Sequence, residues 1–529
     1  MGIWLDSSLS LAENRRRRIS KAKQAEARLR RIVSTYGVPP ASARKLQMSI
    51  IQGTMLYASE LTWNGGKGIE GEYQAAINWM GRATLGAYKS TPLGMVAAES
   101  GLVPARALLN HRQSRFAQRL YARPKDGEGP EEILEREAGT ALTARLRAAA
   151  SLQPGNTVER QEWSRRLIFP GEIAIDSRAK ALEIAGRLDR RTWTREDTIW
   201  TDGSRLDSGK VGAACVWETP SGWTGRRFHL GTNKEVFDAE VYAVYQALCS
   251  LDQRQERDHR YTIFVDSTAA IGRIRSDAPG PGQHFAAAAI EACIRILSRN
   301  NTVVVRWVPA HHDVLGNEVA DKFAKAAAEG TAPDSPSAVA DRLRWETSLS
   351  HMARVSTEER TRAATQWISE RLGDPRRKYR PPPGRGLRRK LLRRVPKSIA
   401  SRYYQLLSGH AAIGPYLKDR IHKTDDDRCW WCGGGRQQTR HHLFTECRAW
   451  MPQIRRLWKD IGKAQEWKHP RTPSGKWLWK EKSTEAVLAF LRDTRVGCAR
   501  VERRLPVDAG VWTGSGDEGE EGGPGPPGL

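Results

Sequence analysis

Asp202, Glu240, Asp266 and Asp321 are acids whose neighbours put them against apolar, regularly spaced stretches of chain. Asp202 follows Ile199-Trp200-Thr201 just before a Gly203-Ser204 break, so it is expected where a strand ends. Glu240 falls inside the stripe of Phe237, Val241, Val244 and Leu248, which recur at helical spacing. A carboxylate facing a core is costly unless it is paired, protonated or bound to a metal. Asp266 closes a second short run, Tyr261-Thr262-Ile263-Phe264-Val265. A strand over 302–308 leads through Pro309-Ala310-His311-His312-Asp313 into a helix expected to begin near Asn317, whose first turns carry Glu318 and Asp321. Taken singly, each aspartate reads as a turn former and Glu240 as a residue on a solvated helix face. Four acids in one order of elements point instead to a shared site.

Crowded carboxylates repel one another and do not stay ionised together unless cations lie between them, and oxygen-only ligands favour Mg²⁺ or Mn²⁺ over zinc. Two such ions about 4 Å apart activate a water and steady the leaving oxygen of an in-line displacement. The chemistry this suggests is hydrolysis of a phosphodiester. Further strands over 210–219 and near 226–230 complete a βββαβαβα order, hence an α/β fold with a mixed sheet flanked by helices.

On these residues the chain resembles the ribonuclease H family. The resemblance is carried by Thr201-Asp202-Gly203-Ser204, Asp238-Ala239-Glu240, Phe264-Val265-Asp266-Ser267, Trp307-Val308-Pro309-Ala310-His311 and Gly316-Asn317-Glu318-Val319-Ala320-Asp321. It implies a five-stranded mixed sheet, two Mg²⁺ (or Mn²⁺) ions on Asp202, Glu240, Asp266 and Asp321, and a mobile His311 that assists proton transfer or product departure. It also implies cleavage of the RNA strand of an RNA–DNA hybrid, leaving a 3′-hydroxyl and a 5′-phosphate. Two positions depart from the family pattern: Ala310 and Asp313 stand where glycine is common. Aspartate tolerates left-handed backbone better than most residues, so the second change is mild.

A formal net charge of +26 and a pI near 10.0 over 529 residues point to a polyanionic partner, for which nucleic acid fits a phosphodiester-cleaving site best. No apolar run approaches the roughly 18 residues of a membrane span and no signal-peptide apolar region opens the chain, so an intracellular protein without membrane or small-molecule cofactor is expected. Seven cysteines, three of them in one short stretch, read as reduced thiols plus a metal site. That stretch is Cys429-Trp430-Trp431-Cys432, then His442 and Cys447, which can close a tetrahedral zinc shell of structural type. His441 is the rival ligand, with the spacing to Cys447 favouring His442. Trp430 and Trp431 are expected to pack on the module rather than to stack on bases.

Residues 1–125 read as mostly helical. Ile19, Ala22, Leu29, Ile32, Val33 and Tyr36 form one apolar stripe, opposed by basic residues that suit either a phosphate backbone or plain solvation. Further helices are expected over 41–63 and 75–86. Gly2-Ile3-Trp4-Leu5-Asp6, Gln52-Gly53-Thr54-Met55-Leu56-Tyr57 and Thr91-Pro92-Leu93-Gly94 resemble the region after the palm in reverse transcriptases of non-LTR retrotransposons, and 401–410 resembles the segment before their terminal Cys-Cys-His-Cys finger. A polymerase needs paired catalytic aspartates for its own two metals; no Tyr/Phe-x-Asp-Asp hairpin occurs, so polymerisation by this chain alone is not expected.

The organisation expected is therefore a thumb-like helical remnant over 1–125, a connecting helical linker over 126–194 with a helix at 131–152, a ribonuclease H domain over 195–330, and a linker and basic segment over 331–395. A zinc-finger module with a helical end (396–505) and a disordered tail (506–529) follow. The one-sided basic run 376–397 is expected to be disordered, to lie against nucleic acid, or to serve nuclear import. RNA–DNA hybrid is the expected partner and the nucleus the expected compartment; the rival function is a catalytically silent, nucleic-acid-binding relic.

Overall fold

A computed structural model describes residues 2–7, 11–122, 159, 167–188, 197–331, 342–372, 387–467 and 475–498. The helix expected at 131–152, residues 332–341 and 373–386 of the stretch expected as linker and basic segment, and the tail lie outside these residues.

Short β-branched and aromatic runs form the strands: β1 (Glu172–Ala174), β2 (Thr198–Arg205), β3 (Val211–Thr219), β4 (Gly222–His229), β5 (Arg260–Val265) and β6 (Thr302–Trp307). They make one sheet in the order β1-β6-β5-β2-β3-β4. β2, β3 and β4 are antiparallel neighbours, whereas β5 pairs in parallel with both β2 and β6. The mixed α/β sheet expected from the sequence is present, with one strand more than the five expected. β1 lies in the stretch read as a helical linker; its three residues pair with β6 alone and carry too short a pattern to signal a strand. Between β5 and β6 the chain forms two helices, Thr268–Arg275 and Gln283–Leu297, where one was expected.

Each sheet face buries its own cluster. Ile199, Ile263, Val265, Val303 and Val305 pack with residues of helices Val236–Arg254 and Gln283–Leu297. The opposite parity of the strands sends Trp200, Phe264 and Val216 to the face covered by helix Leu315–Glu329. There Trp200 and Phe264 stack with ring centroids 4.2 Å apart. Gly316 is required at this contact, since a Cβ would lie 2.3 Å from the Trp200 ring.

Chain contacts divide the molecule into two units, Met1–Leu85 with Pro92–Arg377, and Gly86–Thr91 with Lys378–Leu529. In the first, Ile19, Ala22, Leu29 and Val33 of helix Ala12–Thr35 pack with Ile51, Met55, Trp63, Tyr73 and Met80. Ile32 and Tyr36, expected in the same stripe, are 50% and 78% exposed, and Tyr36 lies just beyond the end of the helix at Thr35. Several arginines of this helix are paired within the protein, Arg15 with Glu72 (2.8 Å) and Arg17 with Glu13 (2.6 Å). Residues 331–395, read as linker, contain the 24-residue helix Leu349–Leu372. Only Leu349, Met352 and Trp367 are its buried apolar side chains, too sparse a stripe to announce a packed helix. Among the described residues no helix is long and apolar enough to cross a membrane.

Candidate metal centres

The strand register builds the acidic site. Parallel pairing of β2 with β5 ends at Thr201↔Val265, so the next residues, Asp202 and Asp266, stand side by side where the two strands part. β2 itself runs on to Arg205 against β3, so Asp202 marks the end of the parallel pairing and not, as expected, of the strand. Crevices beyond the carboxyl ends of parallel strands are the usual place for a site in such sheets. Both aspartates share the parity of Trp200 and Phe264, which turns them toward helix Leu315–Glu329 and its Asp321. Glu240 arrives from helix Val236–Arg254, which can approach because residue 203 is glycine: a Cβ there would lie 2.6 Å from the Glu240 backbone nitrogen.

Asp202, Glu240 and Asp266 each offer an oxygen within 4.8 Å of the others. Burial, then the charges of Asp266 and Asp321, push the Asp202 carboxyl up to about 8. Burial and the same crowding raise Glu240 well above the carboxylate range, and its Oε2 is buried without a hydrogen-bond partner. Burial also raises Asp266, against the hydrogen bond from Asn317 Nδ2 (3.4 Å) and the influence of His311. Oxygen ligands that cannot ionise together without added positive charge suit divalent cations such as Mg²⁺. Asp321 stands close enough to raise both aspartates, but its Oδ2 accepts a hydrogen bond from Lys325 (2.6 Å) and it lies outside the three-acid group. His311 is exposed and left-handed, with φ 56°. Asp313 is left-handed too, φ 54°, as the family's glycine at that position would allow, whereas Ala310 is not. His312 points elsewhere and contacts Arg178. Asn317, part of the motif but given no role from the sequence, donates to the Asp266 carboxylate, and the Trp307 indole N–H donates to the Asp266 carbonyl at 3.0 Å.

In the second unit the antiparallel bridge Arg428↔Gln437 folds a knuckle, and Thr439 caps the short helix Arg440–Thr445 that presents His442. Cys429, Cys432, His442 and Cys447 come together. Cys429 Sγ lies 3.8 Å from Cys447 Sγ, and Cys432 Sγ 3.4 Å from His442 Nε2. Tetrahedral zinc with bonds of about 2.3 Å to sulfur and about 2.0 Å to nitrogen requires edges of roughly 3.5–3.8 Å, so the donors fit. Burial lowers the basicity of His442, which keeps the imidazole neutral as a ligand must be. Burial pushes Cys447 up to about 12, a penalty for the thiolate that a cation would offset. His441, the rival, is exposed and paired with Glu446 at 3.2 Å. Trp431 packs edge-on against Trp450, centroids 5.7 Å apart. The unit has a core of its own: Tyr403, Leu406, Phe444, Ile461, Val487, Phe490 and Leu491 are buried. Phe444 meets Phe490 with centroids 5.0 Å apart, and helix Thr484–Asp493 supplies that partner from well beyond the knuckle.

Residues 194–329 match the RNase H family model, so the chain carries a domain of that family. Over 196 residues it is 32% identical to the Gag-Pol polyprotein of bovine immunodeficiency virus, a match covering 36% of this chain and 12% of the polyprotein. Solved structures similar to it include RNase H1 from the halophilic archaeon Halobacterium salinarum (17% identity, 25% of this chain and 97% of that one, TM-score 0.21). Another is the N-terminal RNase H domain of a Mycobacterium tuberculosis protein fused to maltose binding protein (18% identity, 25% and 97%, TM-score 0.21).

Proposed function

We propose that the chain is a divalent-metal-dependent ribonuclease H within a retrotransposon-derived protein, hydrolysing the RNA strand of RNA–DNA hybrids to leave a 3′-hydroxyl and a 5′-phosphate. The observation that carries this reading is the group Asp202, Glu240 and Asp266, whose oxygens lie within 4.8 Å of one another at the parting of two parallel strands. Asp321 would complete the ligand set by leaving Lys325. Bound there, two Mg²⁺ or Mn²⁺ ions supply the positive charge that favours deprotonation of an attacking water and steadies the departing oxygen. Asn317 holds Asp266 in place through its amide, and His311, exposed beside Asp266, takes or returns a proton at its imidazole as product leaves. Preference for RNA would come from contacts to 2′-hydroxyls across the wide minor groove of the hybrid. The Cys429, Cys432, His442, Cys447 knuckle would hold one structural zinc and present the basic flank 387–397 to nucleic acid, in keeping with a nuclear protein. Intact acid positions speak against the silent, binding-only relic. The test offers full-length protein and Mg²⁺ a labelled hybrid, an RNA duplex and a DNA duplex of one sequence. Cleavage confined to the RNA of the hybrid is expected; equal cutting of the DNA duplex would refute the substrate assignment.

A further inference from the structure

Two residues before Glu240, the Asp238 carboxylate is fully buried and is held from outside the RNase H domain. Its Oδ2 accepts hydrogen bonds from the Glu235 backbone N–H (2.7 Å) and from the Ser348 hydroxyl (2.6 Å), and a third from the Ser350 hydroxyl. The first of these belongs to a capping box in which Glu235 and Asp238 satisfy each other's backbone N–H groups, enough by itself to finish the helix end. The serines are additional. They come from the start of helix Leu349–Leu372, and that segment grips the same turn at four more points. Arg354 Nε and His351 Nδ1 bond Glu235 Oε1 at 2.6 and 2.9 Å. The Ser348 N–H donates to the Asn233 carbonyl at 3.1 Å, and Lys234 donates to the Glu346 carbonyl. The far side of the helix is anchored in turn: Gln118 donates to the Met352 carbonyl (3.1 Å) and His111 Nδ1 meets the Ser356 hydroxyl (2.9 Å), both from helix Ala105–Tyr121.

We propose that Ser348 and Ser350 are positioning residues for metal binding: by fixing Asp238 they set where Glu240 stands relative to Asp202 and Asp266. This rests on the metal-dependent reading above. A helix is stiff over a single turn, so a shift of its first turn carries Glu240 with it. Mg²⁺ demands near-ideal octahedral geometry at about 2.0–2.1 Å, so a displacement of a few tenths of an ångström penalises it more than a more tolerant cation. Supporting partners of metal ligands typically alter affinity about 10–100-fold when removed.

The experiment measures Mn²⁺ binding by calorimetry, and Mg²⁺ by competition against it, on the full chain with S348A/S350A, with Asp202→Asn as the blank for ions bound elsewhere. The expected result is Mg²⁺ binding weakened about 10-fold and Mn²⁺ less so, giving a changed Mg²⁺/Mn²⁺ ratio that loss of fold stability alone would not produce. S348T/S350T, which keeps both hydroxyls, should restore the ratio, and Thr365→Ala, which removes an exposed hydroxyl further along the same helix, should leave it unchanged. An unchanged ratio in the folded double alanine variant overturns the positioning role. A wild-type chain that binds no more Mn²⁺ than the Asp202→Asn blank overturns the metal reading itself.

Discussion

Asp202→Asn should make the protein more stable without metal and insensitive to Mg²⁺ at the acidic site, with the gain growing as pH rises. In the metal-free protein burial and neighbouring acids hold the Asp202 carboxyl at about 8, against 3.8 for the unperturbed group. The folded state therefore binds a proton that the unfolded state has already lost, and stability falls as pH rises from about 4 to about 8. At roughly 1.4 kcal/mol per pH unit for one proton, the loss between pH 4 and pH 7 is about 4 kcal/mol as a ceiling, because the acids titrate together and share the strain. The amide has no charge to bury, so that component disappears in the variant and Glu240 and Asp266 are relieved of one neighbour. Mg²⁺ reverses the order, since cations favour the ionised acids and only wild type keeps the full set. The assay is amide hydrogen exchange of β3 and β6 at pH 5, 7 and 8, with and without Mg²⁺. Equal pH dependence of wild type and variant without metal would refute the reasoning.

His311→Ala should slow cleavage by about 10²-fold, the low end for acid–base assistance, while His312→Ala, whose ring contacts Arg178, should change the rate little; the reverse order in steady-state rates would refute the role given to His311. Cys432→Ser should lose one zinc by elemental analysis and unfold the knuckle over 428–447 while helices Lys397–Ser408 and Thr484–Asp493 persist on their buried core, and cleavage by the other unit should be untouched; a zinc content near zero in reduced wild type would leave an ordinary thiol cluster. Gly203→Ala should cost about 1–3 kcal/mol and depress Mg²⁺-dependent activity, because the new methyl meets helix backbone at 2.6 Å and not a movable side chain; wild-type melting and turnover would show that the helix does not need that close approach.

Residues whose type is dictated by chemistry are legible in the sequence. Asp202, Glu240 and Asp266 stand as carboxylates next to apolar strands and a helix stripe, and the fold gathers them; Cys429, Cys432, His442 and Cys447 stand at metal-ligand spacing, and they meet too. What escaped was set by tertiary context. β1 is three residues paired on one side, and Leu349–Leu372 buries only scattered apolar positions, so neither has a periodic signal. Ser348 and Ser350 bond a carboxylate 110 and 112 residues away, a relation no local pattern encodes. Tyr36 matched its stripe by spacing and yet lies exposed one residue past the end of the helix, since periodicity predicts a face but not where the helix stops.

The central claim is that these acids run metal-dependent hydrolysis, and it is met most directly by incubating the full-length chain with an end-labelled RNA–DNA hybrid and Mg²⁺, beside Asp266→Asn and beside chelator. The account predicts RNA fragments with 3′-hydroxyl and 5′-phosphate ends from wild type alone, with the variant still binding the hybrid through its basic surface. Cleavage that survives in Asp266→Asn, or folded wild type that binds the hybrid with Mg²⁺ present and leaves its RNA intact, would contradict it.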